Sequence, residues 1–570
     1  MNIKTVEGNT PALFVNSITF NNGETININK NDIVVFVGPN NAGKSQSLKD
    51  IYACITNQHR KIVIKNVDLT FQNSENDVAF IESCSARSKN PASGYIYSGM
   101  NYYIYSHHLN NNRLNSAYFQ DLINLFVNNL NTDNRLSIVN PPNILRENES
   151  PTHPIHNVKA FPPIREKLSR FFRKAFGQSL IPGFDSMNIP LHIGEPIKLE
   201  EVFEDEQTRQ EEYKRRLQQL PVLHEQGDGM RSFTGILLHL LLPNYSCFMI
   251  DEPESFLHPP QARILGQIFS EALSNDKQVF ISTHSQDFLN GLISSCPDRV
   301  KIIRITRLDD NNIIKVLDNA QLNRIWKDSL LRYSNIIDSL FHESTVVCES
   351  DSDCKLYSII LEYIKTEEGR PNSTLFVHCG GKQRLPLVAQ ALKTLGVNFR
   401  IIPDIDILND SNLTKLLYEI CGGQWPTIEK RYNVVAAGAK SLDKPTLLKE
   451  QRERIEETLS EFENEGIKDL NKKQLDKLKK TIFEHKGWSM IKKSGIRALP
   501  NGDPQEAIEA LNTALKQVGI HLPLVGELEN FIPTVGGHGP SWVEDVINKY
   551  PNLNNMVYED VKQFIKTLNL

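Results

Sequence analysis

Short apolar runs, each closed by a polar residue, glycine or proline, recur along the chain. "IVVFV" at residues 33–37 is β-branched and wholly apolar, the pattern of a parallel strand buried on both faces. "CFMI" (247–250), "QVFIS" (278–282), "TVVC" (345–348), "TLFVHC" (374–379) and the start of "FRIIPDID" (399–406) read the same way, with helical periodicity between most of them. Strands alternating with helices predict an α/β fold with mostly parallel sheets. The alternation starts afresh after "LDNAQLNRIWKDSLLRYSNIIDSLF" (317–341), which reads as a helix, so the chain is divided into units spanning 1–340 and 341–570.

Two stretches interrupt this pattern. Residues 60–220 fit neither strand set and are expected to hold helical and β insertions, with dimerisation elements; within them "GYIYSGMNYYIY" (94–105) alternates as a hairpin whose tyrosines pack a sheet. Residues 444–486 are densely charged, with Ile455, Leu459 and Phe462 three or four apart, and predict two amphipathic helices around a turn near Gly466, a helical insertion in the second unit.

Composition narrows the class. A chain of 570 residues needs two or three cores, and 40% hydrophobic with 23% charged residues excludes a disordered or fibrous protein. The eight cysteines show no CxxC pair and no zinc spacing, which predicts reduced thiols. There is no signal-type apolar stretch at the start and no run near the ~18 apolar residues of a membrane span, so a cytoplasmic protein with no membrane partner is expected. With a net charge of −5, DNA binding would need local basic surface. "REKLSRFFRKAF" (165–176) and "NKKQLDKLKK" (471–480) are candidates, each also readable as a solvated helix face.

Candidate chemistry falls into two groups. "GPNNAGKS" (38–45) is a GxxxxGK[ST] loop between a buried strand and a helix. Gly38, Asn40, Asn41 and Gly43 would wrap the phosphates of ATP, Lys44 would reach the β- and γ-phosphates, and the Ser45 hydroxyl would ligate Mg²⁺. "CFMIDEPESFLHPPQ" supplies Asp251 for the metal and Glu252 as general base, and "VFISTHSQDF" places His284 where it would meet the γ-phosphate. The second group begins at "VVCESDSDCKLY" (346–357), where Glu349, Asp351 and Asp353 read either as the acidic first turn of a helix or as metal ligands. In "FRIIPDIDIL", Asp404 and Asp406 lie two apart at a strand end, so the strand period sends both to one side, where Mg²⁺ or Mn²⁺ would relieve their repulsion.

The first set resembles the ABC-type ATPase heads of DNA-repair and chromosome-structuring proteins. "EQGDGMRSF" (225–233) stands where that family has its LSGGQ signature and departs from it, leaving Gln226, Gly227, Asp228 and Gly229 as the residues that would close on nucleotide. This implies ATP held between two heads, in a homodimer or higher oligomer. "ESDSD" resembles the EGxSD motif of TOPRIM domains, with Ser350 at the glycine position, Asp351 at the variable one, and "GGK" (380–382) between the acidic motifs. An ABC head followed by a TOPRIM domain resembles the OLD (overcoming lysogenization defect) nucleases, which include the Gabija nuclease subunit and retron-associated effectors.

That resemblance implies two-metal cleavage of DNA in anti-phage defence, with Glu349, Asp404 and Asp406 on one ion and Asp353 helping to hold the other. It also implies a late lysine, Lys493 ahead of Lys492, and further ligands at Glu527 and Glu529. A partner is implied too, either a reverse transcriptase with noncoding RNA/DNA or a helicase. The alternative is a repair or maintenance ATPase whose TOPRIM domain binds DNA without cutting it. Whether ATP licenses or restrains cleavage stays open.

Overall fold

The computed structural model describes the chain apart from residues 1–2, 59–60, 76, 91–93, 100–101, 112, 146–150, 184–186, 200–204, 243, 309–310, 318–334, 443–447, 465, 468–469 and 484–486. It divides into two compact units, Met1–Arg324 and Ile325–Leu570, earlier than the expected division at residue 340. The helix expected over 317–341 lies largely outside the described residues; Asn335–Phe341 is a 3₁₀ helix.

The first unit is built on a six-stranded sheet in the order Val127–Leu130, Cys247–Asp251, Gln278–Ser282, Ile33–Val37, Val300–Leu308, Asn311–Leu317. All neighbours are parallel except the last pair. The five residues of Ile33–Val37 are inaccessible to solvent, as a central strand covered on both faces requires. A four-stranded sheet runs Ile3–Glu7, Ile64–Asn73, Ala12–Phe20, Thr25–Asn27. Buried Gln278 links the two sheets, accepting from the Val15 N–H at 2.9 Å and donating to the Val15 carbonyl at 2.9 Å.

The reading of 60–220 as insertion therefore needs correction. Ile64–Asn73 is an interior strand of the four-stranded sheet and Val127–Leu130 an edge of the six-stranded one. The hairpin in 94–105 is present as Gly94–Ser98 paired antiparallel with Tyr103–Tyr105; Tyr97 and Tyr102 are buried, whereas Tyr95 and Tyr103 are exposed, so only some of its tyrosines pack as expected. The basic helix Pro162–Phe176 turns Phe171 and Phe172 into the core, while Arg170 and Arg173 pair with Glu271 and Glu195 at 3.0 and 2.6 Å. Its aromatics are thus core residues, unavailable for stacking on bases.

In the second unit three parallel strands run Thr374–His378, Ser344–Cys348, Asn398–Ile402. A parallel bridge from Ile401 to Ile520 adds the chain around 519–521 beside the last strand. A core containing Tyr357, Trp542, Val546 and Tyr558 packs beneath, with the Trp542 indole N–H donating to the Val535 carbonyl at 3.0 Å. The charged insertion forms helices Leu448–Asn464 and Lys472–Phe483, and Gly466 between them takes φ 72°. Among the described residues no helix is long and apolar enough to cross a membrane.

Candidate functional site

In the first unit the P-loop strand ends at Val37 and the chain turns through Gly38 (φ 148°), Asn41 (φ 60°) and Gly43 (φ 101°) into the helix Lys44–Ile55. Glycine is needed at the first turn: a Cβ on Gly38 would fall 2.0 Å from the Ile305 carbonyl oxygen. Asn312 donates to the Ala42 carbonyl at 2.9 Å and holds the loop from the adjoining hairpin. Asn40, Asn41, Gly43, Lys44, Ser45 and His284 line a cleft of about 640 Å³. The Lys44 amine is buried and donates to the Gly38 and Pro39 carbonyls at 2.9 and 2.6 Å. Burial lowers its pKa to about 8, against the opposing pull of Glu252 and Asp251.

Asp251 ends the strand Cys247–Asp251, one strand removed from the P-loop strand, and accepts from the Ser282 hydroxyl of the strand between them. Glu252 follows at φ 47°, a left-handed conformation that costs a non-glycine residue about 1–2 kcal/mol. Its carboxylate stands 3.5 Å from His284 Nε2. Burial, then Lys44, depress the His284 pKa, against the opposing pull of Glu252 and Asp251. Glu254, which the sequence reading passed over although it stands in "DEPES", accepts from the Thr283 hydroxyl at 2.7 Å and the His284 N–H at 2.9 Å. Gly227 caps the helix Asp228–Leu240, with Gly227 and Asp228 exposed, Gln226 bonded back to the Val222 carbonyl at 2.9 Å, and Gly229 packed on the Phe256 carbonyl. None of residues 226–229 lines the P-loop cleft.

The second unit gathers its acids where the parallel strands end, the usual ligand edge of such a sheet. Glu349 follows Cys348, Asp404 follows the strand ending at Ile402, and the chain beside Ile401 runs on to Glu527. Glu349, Asp404 and Asp406 each bring a carboxylate oxygen within 4.8 Å of the others. The Asp404 N–H donates to Glu349 Oε1 at 2.9 Å, and the Gly380 and Gly381 N–H groups reach the Glu349 carbonyl at 3.2 Å. The strand period expected to align Asp404 and Asp406 is not what does so. The strand has already ended, and Asp404 stands immediately before a 3₁₀ helix, Ile405–Asn409, with Asp406 in its first turn. Glu527 and Glu529 repeat the device: Glu527 stands immediately before the 3₁₀ helix Leu528–Phe531 and Glu529 lies in its first turn. With His538 they form a second cluster within 4.8 Å.

His538 was not foreseen. It lies in "GGHGP", where Gly537 (φ 110°) and Gly539 (φ 75°) shape a turn that sets its ring 3.3 Å from Glu529. The lysine order is also corrected. Lys492 meets Asp404 at 2.6 Å and Asp406 at 3.8 Å, whereas Lys493, next on the helix Gly487–Ser494, is exposed, since successive helical residues point about 100° apart. Lys382 adds a second ammonium, 2.8 Å from Asp406. At the motif's glycine position, Ser350 is the N-cap of the helix Asp351–Glu367: its N–H and hydroxyl donate to Asp353 Oδ2 at 3.0 and 2.8 Å. The helix-cap reading of this stretch is met through Ser350 and Asp353, while Glu349 lies apart from the cap in the acidic cluster. Asp351 points to solvent and pairs with Lys355 one turn on, at 2.9 Å.

The donor set suits a divalent cation. Asp406 Oδ1 is buried without a hydrogen-bond partner. Burial and then Asp404 raise the Glu349 pKa to about 7, and the same two causes raise Asp353 to about 6. Burial opposes the charge of Lys492, but Asp404 and Asp406 outweigh it and lift its pKa above the ordinary value. The raised carboxyls keep protons that the unfolded chain releases, so in metal-free buffer their contribution to stability is lost as pH rises through the folded pKa values of about 6 and 7. Thermal unfolding of the second unit is expected to fall more steeply between about pH 5 and 8 in the wild type than in Glu349→Gln, and Mn²⁺ at the upper pH should restore it. Identical pH profiles for the two proteins would contradict this assignment.

Residues 108–290 match the family described as "AAA domain, putative AbiEii toxin, Type IV TA system". That span holds the signature counterpart, Asp251, Glu252 and His284, and begins after the P-loop. The first unit is an α/β domain, and over this span it is similar to an AAA domain. The expected resemblance to OLD-type ATPases is found: the chain is 25% identical over 172 residues to the Old nuclease of Escherichia phage P2, covering 29% of this chain and 28% of that protein. The match thus spans less than a third of the relative's length. Among solved structures, an SMC head bound to the C-winged helix domain of ScpA is 13% identical, with a TM-score of 0.34 over 55% of this chain and 100% of that one. The SMC head domain from Thermotoga maritima is also 13% identical, with a TM-score of 0.26 over 54% and 98%.

Proposed function

We propose that the chain is a nucleotide-regulated, metal-dependent DNA endonuclease of OLD type, its second unit a TOPRIM-like nuclease domain. The observation that carries this is the Glu349, Asp404 and Asp406 cluster at the strand ends, with an unpartnered buried oxygen and Lys492 beside it. Glu349, Asp404 and Asp406 would hold one divalent ion; Asp353, Glu527, Glu529 and His538 would supply the other. Asp353 stands between the two sets, its carboxyl under the influence of Asp404 first and of Glu529 less. Bound there, Mg²⁺ or Mn²⁺ supplies Lewis acidity and an activated water.

The protein's own part is to hold the carboxylates in register through two 3₁₀ turns and to present the Lys492 ammonium to charge developing on a phosphate. In the first unit Lys44 and Ser45 bind the phosphates and Mg²⁺ of ATP, and Glu252 and His284 act on its hydrolysis. Residues 226–229 would close on the nucleotide of a second copy, making the working form at least a homodimer. The toxin–antitoxin description of the matching family and the phage source of the Old nuclease are in keeping with a place in phage–host conflict.

The test is conversion of supercoiled plasmid to nicked or linear product by the full chain with Mg²⁺ or Mn²⁺, with and without ATP. Product that disappears on chelation supports the reading. Plasmid left intact under all four conditions rejects it.

A further inference from the structure

Arg135 is inaccessible to solvent, yet its guanidinium is only partly satisfied. Nη1 donates to the Glu252 carbonyl at 2.9 Å and Nη2 to the Thr132 hydroxyl at 3.2 Å, while Nε has no partner. Glu254 carries the complementary deficit: Oε1 holds Thr283 and the His284 N–H, and Oε2 is sequestered without a partner. Against the effect of burial, the Glu254 carboxylate favours the charged form of Arg135. A buried guanidinium that holds a backbone carbonyl and keeps an unsatisfied Nε is poised to respond to movement of that backbone.

The same arginine is tied to the helix Asp228–Leu240. Gly235 packs so closely that a Cβ there would fall 2.1 Å from the Arg135 carbonyl oxygen. Arg231 bridges from Asp228, at 2.9 Å, to the Leu136 carbonyl, at 3.1 Å. At the helix start, a Cβ on Gly229 would fall 2.6 Å from the Phe256 carbonyl oxygen, in the loop that follows Glu252. Movement of this helix therefore bears on Arg135, and Arg135 holds the backbone of a residue kept at φ 47°.

We infer that Arg135 is a positioning residue that couples the exposed start of the Asp228 helix to the general base of ATP hydrolysis. When residues 226–229 engage a second copy's nucleotide, the helix moves Arg135 and with it the Glu252 carbonyl that Arg135 holds. That fixes Glu252 to take the proton of the attacking water. Each head thereby gates its own hydrolysis by the occupancy of its neighbour's site. The inference rests on the proposed roles of Glu252 and of residues 226–229.

The experiment measures steady-state ATP turnover and, separately, ATP affinity in the full chain for wild type, Arg135→Met, Arg135→Lys and Arg231→Gln. Arg135→Met is expected to lower kcat at least about tenfold with ATP affinity within about twofold, because it disturbs the base and spares the P-loop. Arg135→Lys should recover part of the loss, and Arg231→Gln should lower kcat in the same direction. An unchanged kcat in folded Arg135→Met overturns the inference, as does a parallel fall in ATP affinity, which would mark a merely structural residue. If both Arg135 variants fail to fold, Arg231→Gln decides, since Arg231 is partly exposed; normal turnover there also overturns it. A wild type that binds no ATP would instead reject the reading of the first unit.

Discussion

Joint replacement of Asp404 and Asp406 by alanine is expected to reduce metal-dependent plasmid nicking about a thousandfold or more, the scale of loss when a group acting in the chemical step is removed. ATP hydrolysis by the first unit should continue. The substitution takes away two of three clustered carboxylates, including the one whose Oδ1 has no partner, and leaves Lys382 and Lys492 facing an emptied site. Both aspartates are partly exposed and start a 3₁₀ turn whose apolar residues, Ile405, Ile407 and Leu408, are untouched, so the fold should survive. Nicking at the wild-type rate by the double variant would sink the assignment of the chemistry to these residues. Loss of both nicking and ATP turnover would point to damage beyond the acidic cluster.

The second large effect is at Lys44. Lys44→Ala should lower ATP turnover about a hundredfold or more, since it removes the one ammonium buried in the P-loop. Stability should respond differently. Burial already depresses the Lys44 pKa to about 8, so the charge is held there at a cost that alanine relieves, offsetting the hydrogen bonds lost from Gly38 and Pro39. The melting temperature is therefore expected to stay within a few degrees of wild type. Phosphate release and thermal unfolding on one preparation check both halves. Retained turnover would remove the P-loop from the mechanism, and a large fall in melting temperature would show the lysine to be structural.

The parts legible in the sequence are those encoded over short distances. The P-loop, Asp251, Glu252 and His284 were readable because each stands at the end of an apolar strand, and parallel strands bring such ends to one edge. Glu349 with Asp404 and Asp406 followed from the same logic, although the turn aligning the aspartates is a 3₁₀ helix that apolar periodicity does not announce. What stayed hidden depends on distant contacts. Lys492 rather than Lys493 faces the acids because its helix is set by the close approach of Gly526 to the Lys492 carbonyl and of Gly495 to Leu524 and Val525. His538 comes from a glycine-rich loop with no period. Ile64–Asn73 looked like insertion because its partner Ala12–Phe20 lies some fifty residues earlier. Arg135 gave no signal at all, since a lone arginine in a polar stretch reads as surface.

The serine at position 350 changes what a metal would find at Asp353. Both bonds from Ser350 go to one oxygen, Oδ2, and leave Oδ1 outside the cap. Helix start and cation therefore draw on different atoms of a single carboxylate. The side chain is locked in its rotamer by the fold itself, so its share of the entropy of assembling the second ion site is lost when the chain folds and not when the ion arrives.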